Sequence, residues 1–202
     1  RSGLCHRLAA DRGMNTALQT LETERLILRP FVAADLAALT PIYGDAAVMA
    51  IRKLGVQTPA QTELELVAII DHWARHGFGL WAVLDRRGGA LLGECGLRYR
   101  APVQAEDSEI EISYGLATAA WGRGLATEAS LAAMAHGFDV IGLTEIVAVA
   151  KASNQASHWV MEKLGMHLAE TWGRDGLGRV KYIVNAEEFK KPTMRKTIHE
   201  AL

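Results

Sequence analysis

Residues 121–129 read Trp-Gly-Arg-Gly-Leu-Ala-Thr-Glu-Ala, and they decide the fold because they join a strand pattern to a helix pattern. The preceding segment Glu109–Ala117 alternates apolar and polar residues, whereas the Ala-rich segment Gly124–Phe138 is apolar on more than one face. The continuously apolar run Ile146–Ala150 follows, as in a strand that is covered on both sides. Because a strand-helix-strand unit favours a right-handed crossover, we predict that Glu109–Ala117 and Glu145–Ala150 are parallel neighbours.

The same loop has the features of a phosphate site. Gly122 and Gly124 relieve steric conflict where the backbone approaches a ligand, and the N–H groups up to Thr127 would point at an anion. The helix macrodipole adds about 0.3–1 kcal/mol for a negative charge at that end, and Arg123 adds a mobile positive charge. An isolated Gly-x-Gly also occurs in ordinary strand-to-helix turns, so the loop alone leaves both interpretations open.

Two familiar phosphate motifs fit this loop poorly. A Walker A loop requires Gly-Lys-Ser/Thr after its glycines, and the chain has no such tripeptide. A Rossmann fingerprint places an acidic residue at the end of the next strand, but Glu145 stands at that strand's beginning. These departures argue against an ATP or nicotinamide site.

The rest of the chain reads as a mixed α/β (α+β) domain. An antiparallel meander is the simplest arrangement for the strands before the loop, because a Gly-rich turn at 87–89 joins the first two of them. The further predicted elements are strand Arg25–Phe31, helices 34–49 and 59–76, strands Gly79–Asp85 and Ala90–Arg98, helix Asn154–Leu164, and a final hairpin of Met166–Trp172 with Arg179–Asn185.

Composition narrows the function. The 202 residues carry 22 Lys+Arg and 23 Asp+Glu, a net charge of -1, which argues against nucleic acid as a partner. No uncharged apolar run reaches the roughly 18 residues of a membrane-spanning helix, so no membrane association is expected. Cys5 and Cys95 lack the paired spacing of a metal or redox site, so we predict no metal and a cytoplasmic location.

The domain is expected to span residues 21–190, with an N-terminal extension at 1–20 and a tail at 191–202. Residues 1–13 lack the apolar core of a secretory signal, and Met14 precedes the stretch that runs into the first strand. Residues 1–13 are therefore interpreted as an upstream or added extension.

Three motifs in order resemble the GNAT superfamily of acetyl-CoA-dependent N-acetyltransferases. The loop 121–126 is similar to its pattern Gln/Arg-x-x-Gly-x-Gly/Ala, with Trp first as in the branch of ribosomal-protein-alanine acetyltransferases. The pairs Asn154–Ser157 and Glu162–Gly165 are similar to that branch's Asn-x-x-Ser and Glu-Lys-Leu-Gly, and Leu21–Phe31 is similar to its opening. The resemblance covers residues 21 to about 189.

This resemblance implies acetyl-CoA as the cosubstrate and a splayed pair of central parallel strands that admits the pantetheine arm. The sheet is then mostly antiparallel with helices on both faces. Backbone groups of Tyr114, Gly115 and Leu116 would pair with the amides of the arm, and one N–H would face the thioester oxygen as an oxyanion donor. The implied pyrophosphate ligands are Gly122, Arg123, Gly124, Leu125, Ala126 and Thr127.

Glu111 is the candidate general base. It alternates with Ile110 and Ile112, which places it on the same strand face as Glu109, about 6.6 Å away along the strand. An ordinary solvated strand face is the alternative for both carboxylates. The resemblance favours Glu111, because the branch has an acidic residue at that position beside the reacting centre.

Ser157 and Asn154 share a helix face that would look onto the CoA arm. Asn154 suits an amide contact with the cosubstrate, and Ser157 suits a proton donor to sulfur. Helix capping is the alternative role of Asn154. Many relatives have a Tyr as the acid where this chain has Met161, which cannot donate a proton.

Other candidates are weaker. His72, His76 and His136 are interpreted as packing or surface residues, and Cys95 as a small buried residue. The aromatic residues Trp73, Phe78 and Trp81 are interpreted as core.

The expected function is direct acetyl transfer to a primary amine, with a protein N-terminal α-amine suggested by the branch and small-molecule amines left open. Segments 34–76 and 175–178 should line the acceptor side. An acyl-CoA sensor without turnover and a nucleotide-binding module are the competing functions. The chain is expected to be a monomer or a homodimer.

Overall fold

The computed structural model describes residues 20–50, 55–100, 109–173 and 178–190, which form an eight-stranded sheet with helices. The strand order is β1-β2-β3-β4-β5-β6-β8-β7. The strands are β1 (Leu21–Glu22), β2 (Leu26–Pro30), β3 (Leu80–Asp85), β4 (Leu91–Tyr99), β5 (Ile110–Leu116), β6 (Glu145–Lys151), β7 (His167–Trp172) and β8 (Arg179–Asn185). The helices are α1 (Leu36–Gly44), α2 (Ala46–Met49), α3 (Pro59–His76), α4 (Leu125–His136), α5 (Gln155–Lys163) and α6 (Ala186–Phe189).

The predicted parallel pair is confirmed at the centre of this sheet. Strands β5 and β6 run parallel and are paired only at Glu111 and Val147. By contrast, β5 pairs with β4 from Ile110 to Leu116, and β6 pairs with β8 along its whole length. The sheet therefore opens from Glu111 toward the C-terminal ends of β5 and β6, and the mixed, mostly antiparallel fold is confirmed.

Helices cover both faces of the sheet, as two neighbouring residues of β4 show. Cys95 lies 3.4 Å from Ser130 of α4, whereas the adjacent Glu94 accepts a hydrogen bond from Tyr43 of α1. Since successive residues of a strand point to opposite faces, α4 and α1 lie on opposite sides. Helix α5 lies on the α4 side, and α3 packs beside α1.

Some predicted boundaries were wrong. The single helix at 34–49 is a 3-10 turn, α1 and α2, because the chain breaks at Asp45 and this residue caps α2 by accepting from Ala47 N–H. The α-helix that was predicted to reach Phe138 ends at His136, and a π-helical turn, Gly137–Ile141, follows it. Strand β1, helix α6 and the position of β8 between β6 and β7 were not predicted.

Several expectations lie outside the described residues: the character of segments 1–19 and 191–202, and the acceptor-side residues 175–177. The domain limits 21–190 stay a prediction. Within the described part of the chain, no helix is long and apolar enough to cross a membrane.

Candidate active site

The two glycines of the loop have left-handed backbone conformations. Gly122 and Gly124 have φ angles of 69° and 75°, a left-handed region that L side chains rarely adopt. Gly124 is the N-cap of α4 and has no side chain to cap it, and the first helical bond is donated by the Glu128 N–H to the Gly124 carbonyl oxygen at 3.1 Å. The N–H groups of Leu125, Ala126 and Thr127 consequently have no intrahelical acceptor.

The space in front of this loop is open. In the described part of the chain, a Cβ added to Gly122 would meet no atom within 4 Å, and one added to Gly124 would meet only Arg25 Nη2, at 3.7 Å. Protein packing therefore does not require glycine at these two positions; the backbone conformation does, and it exposes the first-turn N–H groups. The Arg123 side chain is exposed beside them, while the Leu125 side chain is buried in the core.

A buried charge network that the sequence did not reveal holds the loop in place. The Glu128 side chain in the first turn of α4 is fully buried and accepts hydrogen bonds from Thr23 Oγ1 at 2.6 Å and Arg25 Nε at 2.6 Å. Arg25 also donates from Nη1 to the carbonyl oxygen of Arg123, at 2.9 Å. Arg25 thus joins the start of β2 to the loop and offsets a carboxylate that would otherwise repel an anion.

The hydrogen-bond phase of β5 determines which backbone groups face the gap. Arg100 N–H donates to Glu109 O, and Ala117 N–H donates to Leu92 O, so every second residue of β5 bonds to β4. Gly115 belongs to this set, and its backbone groups are directed at β4 rather than into the gap. The intervening residues Tyr114 and Leu116 present theirs to the gap.

Trp121 closes the C-terminal end of β5. Its indole Nε1 donates to the Leu116 carbonyl oxygen at 2.7 Å, while 48% of the residue remains exposed. This bond leaves the Leu116 N–H and both backbone groups of Tyr114 for an extended ligand. The sequence identified Trp121 as the first residue of the loop motif but did not predict this hydrogen bond.

The two acidic residues of β5 lie on one face, as predicted, but their surroundings differ. Glu109 accepts from Arg100 Nη1 at 2.6 Å and forms an ion pair with Lys181. Burial alone would raise the pKa of Glu109, yet the hydrogen bonds from Lys181 and Arg100 lower it below its usual value. Glu109 is therefore a poor proton acceptor near neutral pH.

Glu111 is less constrained. Its Oε2 lies 3.8 Å from Arg98 Nη2, which is too long for a hydrogen bond, and 14% of its side chain is exposed. It stands at the closed end of the gap, where β5 and β6 pair. A carboxylate at this place can accept a proton from a group that binds in the gap.

Ser157 and Asn154 lie at the N-terminus of α5, directly after β6. Asn154 caps the helix by accepting from Ser157 N–H at 3.2 Å, so the capping role is present. The Tyr114 hydroxyl lies 2.7 Å from Ser157 Oγ, a contact that sequence reasoning missed. Met161, one turn on, is buried at 1% exposure and offers no proton.

The weaker candidates take the roles expected of them. Cys95 is fully buried, and burial raises the pKa of its thiol to about 12, so it is not a nucleophile. Burial also lowers the pKa of His72 and of His136, which keeps both rings neutral at pH 7. Trp73, Phe78 and Trp81 belong to the core. Among the residues that the structure describes, no cluster of His, Cys, Asp or Glu could hold a metal ion.

The α1–α2 segment covers the open end of the gap. Thr118 Oγ1, just beyond β5, donates to Asp45 Oδ2 at 3.3 Å. Lys151 Nζ, at the end of β6, donates to Ala50 O at 2.6 Å. These contacts hold the segment that follows α1 across both strands, on the side where the acceptor was expected.

Known proteins share this architecture and part of this sequence. The family model described as the acetyltransferase (GNAT) domain matches residues 25–167. The uncharacterized protein YkkB of Bacillus subtilis is 33% identical over 153 residues, which cover 75% of this chain and 87% of YkkB. The family model covers more than half of the chain, and it establishes the family.

Two solved structures extend the comparison. A putative GNAT-family acetyltransferase from Bordetella pertussis is 28% identical, with a TM-score of 0.70 over 82% of this chain and 98% of that one. A ribosomal-protein-S5-alanine acetyltransferase from Vibrio fischeri has a TM-score of 0.68 and covers 85% of this chain and 99% of that one. The latter is only 16% identical, so it supports the fold alone.

Proposed function

Because this chain belongs to the acetyltransferase (GNAT) domain family, we propose that it transfers an acetyl group from acetyl-CoA directly to a primary amine in the gap between β5 and β6. The observation that carries this proposal is that the gap leads to the first turn of α4, whose N-terminus has no side-chain cap. A strand edge and a helix N-terminus meet there, which suits a ligand with an extended amide arm and a diphosphate.

The loop residues fit the diphosphate end of acetyl-CoA. The N–H groups of Leu125, Ala126 and Thr127 would donate to its oxygens, and the open space above Gly122 and Gly124 would hold them. Arg123 adds a positive charge from solvent. Asn154 has its Oδ1 occupied by the cap, so its amide N–H group remains as a donor to the arm.

The strand fits the pantetheine arm. Tyr114 and Leu116 would pair with its amides, and the distance from Leu116 to Glu111 along the strand is about 17 Å at roughly 3.4 Å per residue. An arm that starts at the loop and follows β5 would therefore end near Glu111, where the gap closes. The backbone N–H of a β5 residue that faces the gap would stabilise the oxyanion of the thioester.

Glu111 and Ser157 would act on opposite sides of the reacting carbon. The attacking amine must be neutral, and Glu111 would accept its proton directly or through water. Ser157 would donate a hydrogen bond to the departing sulfur. A thiol with a pKa of about 8.5 is already a fair leaving group as a thiolate, so the contribution of Ser157 is expected to be the smaller.

The deciding experiment measures binding and turnover separately. A thermal-shift panel of acetyl-CoA, CoA, ATP and NAD should show stabilisation by the first two only, about 2.7 kcal/mol at a hundredfold excess over the dissociation constant. Release of free CoA is then followed with a panel of peptides and small-molecule amines. Binding without acetyl transfer to any amine would identify an acyl-CoA sensor, and a preference for ATP or NAD would refute the assignment.

A further inference from the structure

A small cavity adjoins the candidate active site on the face that α3 covers. Its volume is about 140 Å³, close to the roughly 150 Å³ of an engineered apolar cavity that binds benzene, so a small organic group fits in it. The lining residues come from one flank of α3 and from the sheet below: Glu65, Ala68, Ile69, His72, Leu80 and Arg98.

Arg98 connects this cavity to the reacting centre. It lies directly across from Glu111 in the β4–β5 pairing, on the same face, and its Nη2 is 3.8 Å from Glu111 Oε2. Arg98 donates no hydrogen bond to any residue in the described parts of the chain, and 40% of its side chain is exposed. The planar set of donors is thus open to a carboxylate, which it can bind through two parallel hydrogen bonds.

The other polar side chains that line the cavity are His72 and Glu65. Burial lowers the pKa of His72, so the ring is neutral. Its Nδ1 donates to Phe78 O at 2.8 Å, and its buried Nε2 has no hydrogen-bond partner among the residues that the structure describes. Glu65 adds a carboxylate from α3. The site therefore places the Arg98 cation next to the Glu111 carboxylate, with the Glu65 carboxylate and the His72 Nε2 acceptor also in the lining.

We propose that the acceptor is a free α-amino acid, whose carboxylate binds Arg98, whose amine lies at Glu111 and whose side chain enters the cavity. This inference rests on the proposed function, because it needs the thioester to lie near Glu111. The amine and carboxylate of an α-amino acid are attached to the same carbon, which matches the adjacency of the two side chains. A protein N-terminus has an uncharged amide in place of the carboxylate and offers Arg98 no second anion.

The proposed transfer needs only acetyl-CoA, the amino acid and Glu111. The amine nitrogen forms a bond to the acetyl carbon, the carbon–sulfur bond breaks, and the electron pair leaves with the CoA sulfur. The proton of the amine passes to Glu111. The product is an N-acetylamino acid and free CoA.

The test compares common L-amino acids with their carboxamides and with dipeptides of the same first residue, at saturating acetyl-CoA. In the wild type, kcat/KM for the best amino acid should exceed that for its carboxamide at least about tenfold, as expected for a hydrogen-bonded charge. In Arg98→Gln this ratio should fall to about one. Arg75→Gln, which removes an exposed arginine of α3 outside the lining, should keep the wild-type ratio.

A direct measurement of amino acid binding tests this proposal separately from the acetyltransferase activity. Calorimetric titration with the same amino acids in the presence of CoA should show binding to the wild type and none to Arg98→Gln. Three results would each overturn the proposal. They are kcat/KM values for carboxamides or dipeptides that equal or exceed those for amino acids, an amino acid-to-carboxamide ratio that stays high in Arg98→Gln, and no binding of any amino acid. Failure of acetyl-CoA itself to bind would instead refute the acetyltransferase assignment.

Discussion

The Tyr114 hydroxyl lies 2.7 Å from Ser157 Oγ and 3.3 Å from the Ser157 carbonyl oxygen, so a residue of β5 holds a hydroxyl at the start of α5. Burial raises the pKa of Tyr114 well above its usual value, and the phenol remains protonated. When Tyr114 donates to Ser157 Oγ, the Ser157 hydrogen is available to another acceptor. Under the proposed function that acceptor is the departing sulfur, and Tyr114 is a positioning residue.

Tyr114→Phe should therefore reduce turnover through Ser157. We expect Ser157→Ala to lower kcat by about a hundredfold at most and Tyr114→Phe by less, with little change in the KM for acetyl-CoA. The double variant should be no slower than Ser157→Ala, since the two hydroxyls act as one unit. Steady-state kinetics of the four proteins measures this. Multiplicative losses would mean that Tyr114 acts independently, and unchanged turnover in Ser157→Ala would leave Ser157 a structural residue.

Gly124→Glu should abolish acetyl-CoA binding, because the side chain would enter the open space of the loop and bring a negative charge to the α4 N-terminus. Gly142→Glu is a matched control: its φ is 80°, and a Cβ there would meet nothing within 4 Å. Both variants should lose about 1–2 kcal/mol of stability through backbone strain. Calorimetric titration with acetyl-CoA distinguishes them, and wild-type affinity in folded Gly124→Glu would rule out the loop as the diphosphate site.

Glu111→Gln should slow transfer by about 10²–10⁴-fold near neutral pH, because the attacking amine loses its proton acceptor. The loss should be greater for a lysine amine, with a pKa near 10.4, than for an α-amine near 8, and higher pH should restore much of the rate. Turnover against pH with saturating acetyl-CoA checks this for each acceptor that the enzyme uses. A variant with the wild-type rate and pH profile would remove Glu111 from the mechanism.

Glu109→Gln should change acid stability rather than catalysis. Hydrogen bonds from Lys181 and Arg100 lower the pKa of Glu109 in the folded protein, so its contribution is present above the unfolded pKa of about 4.3 and is lost as pH falls further. At pH 7 the free energy of unfolding of the variant should be about 1 kcal/mol below that of the wild type, and its melting temperature should be lower. Both differences should shrink below pH 4. Thermal unfolding from pH 3 to pH 7 measures this. A constant difference across that range would contradict the role of the ion pairs.

Arg25→Gln should both destabilise the protein and weaken acetyl-CoA binding. The fully buried Glu128 carboxylate would lose its ion-pair partner, at a cost of about 2 kcal/mol, and the Arg123 carbonyl would lose a donor. Arg75→Gln, whose pair with Asp71 is exposed at 3.6 Å, should cost less than 1 kcal/mol and leave affinity unchanged. Denaturant unfolding and acetyl-CoA titration test the pair. Loss of stability with full affinity would show that Arg25 does not organise the loop.

Local spacing explains why the central unit could be predicted. The alternation in Glu109–Ala117, the glycines at 122 and 124 and the apolar run Ile146–Ala150 are short-range patterns, and each reports a backbone preference or a buried face. Asn154 as a helix cap is a signal of the same kind. Such signals need no knowledge of the partner elements, and the parallel strands followed from them.

The helix at 34–49 shows the limit of this reasoning. Its apolar spacing continues through Asp45, but the structure ends α1 there and uses the Asp45 side chain to start α2. The same side chain accepts from Thr118 across the gap, so this break serves a contact between distant elements. Periodicity within one segment carries no information on that contact.

The sequence by itself determined the glycine turn before α4, the parallel strand pair and the family, because those depend on residues that are near one another in the chain. Only the tertiary structure decided which side chains surround them. Arg25 and Glu128 are 103 residues apart and Tyr114 and Ser157 are 43 apart, while Arg98 faces Glu111 only through the register of β4 on β5. A shift of that register by one residue would turn each side chain to the other face, so packing of the whole sheet selects these contacts.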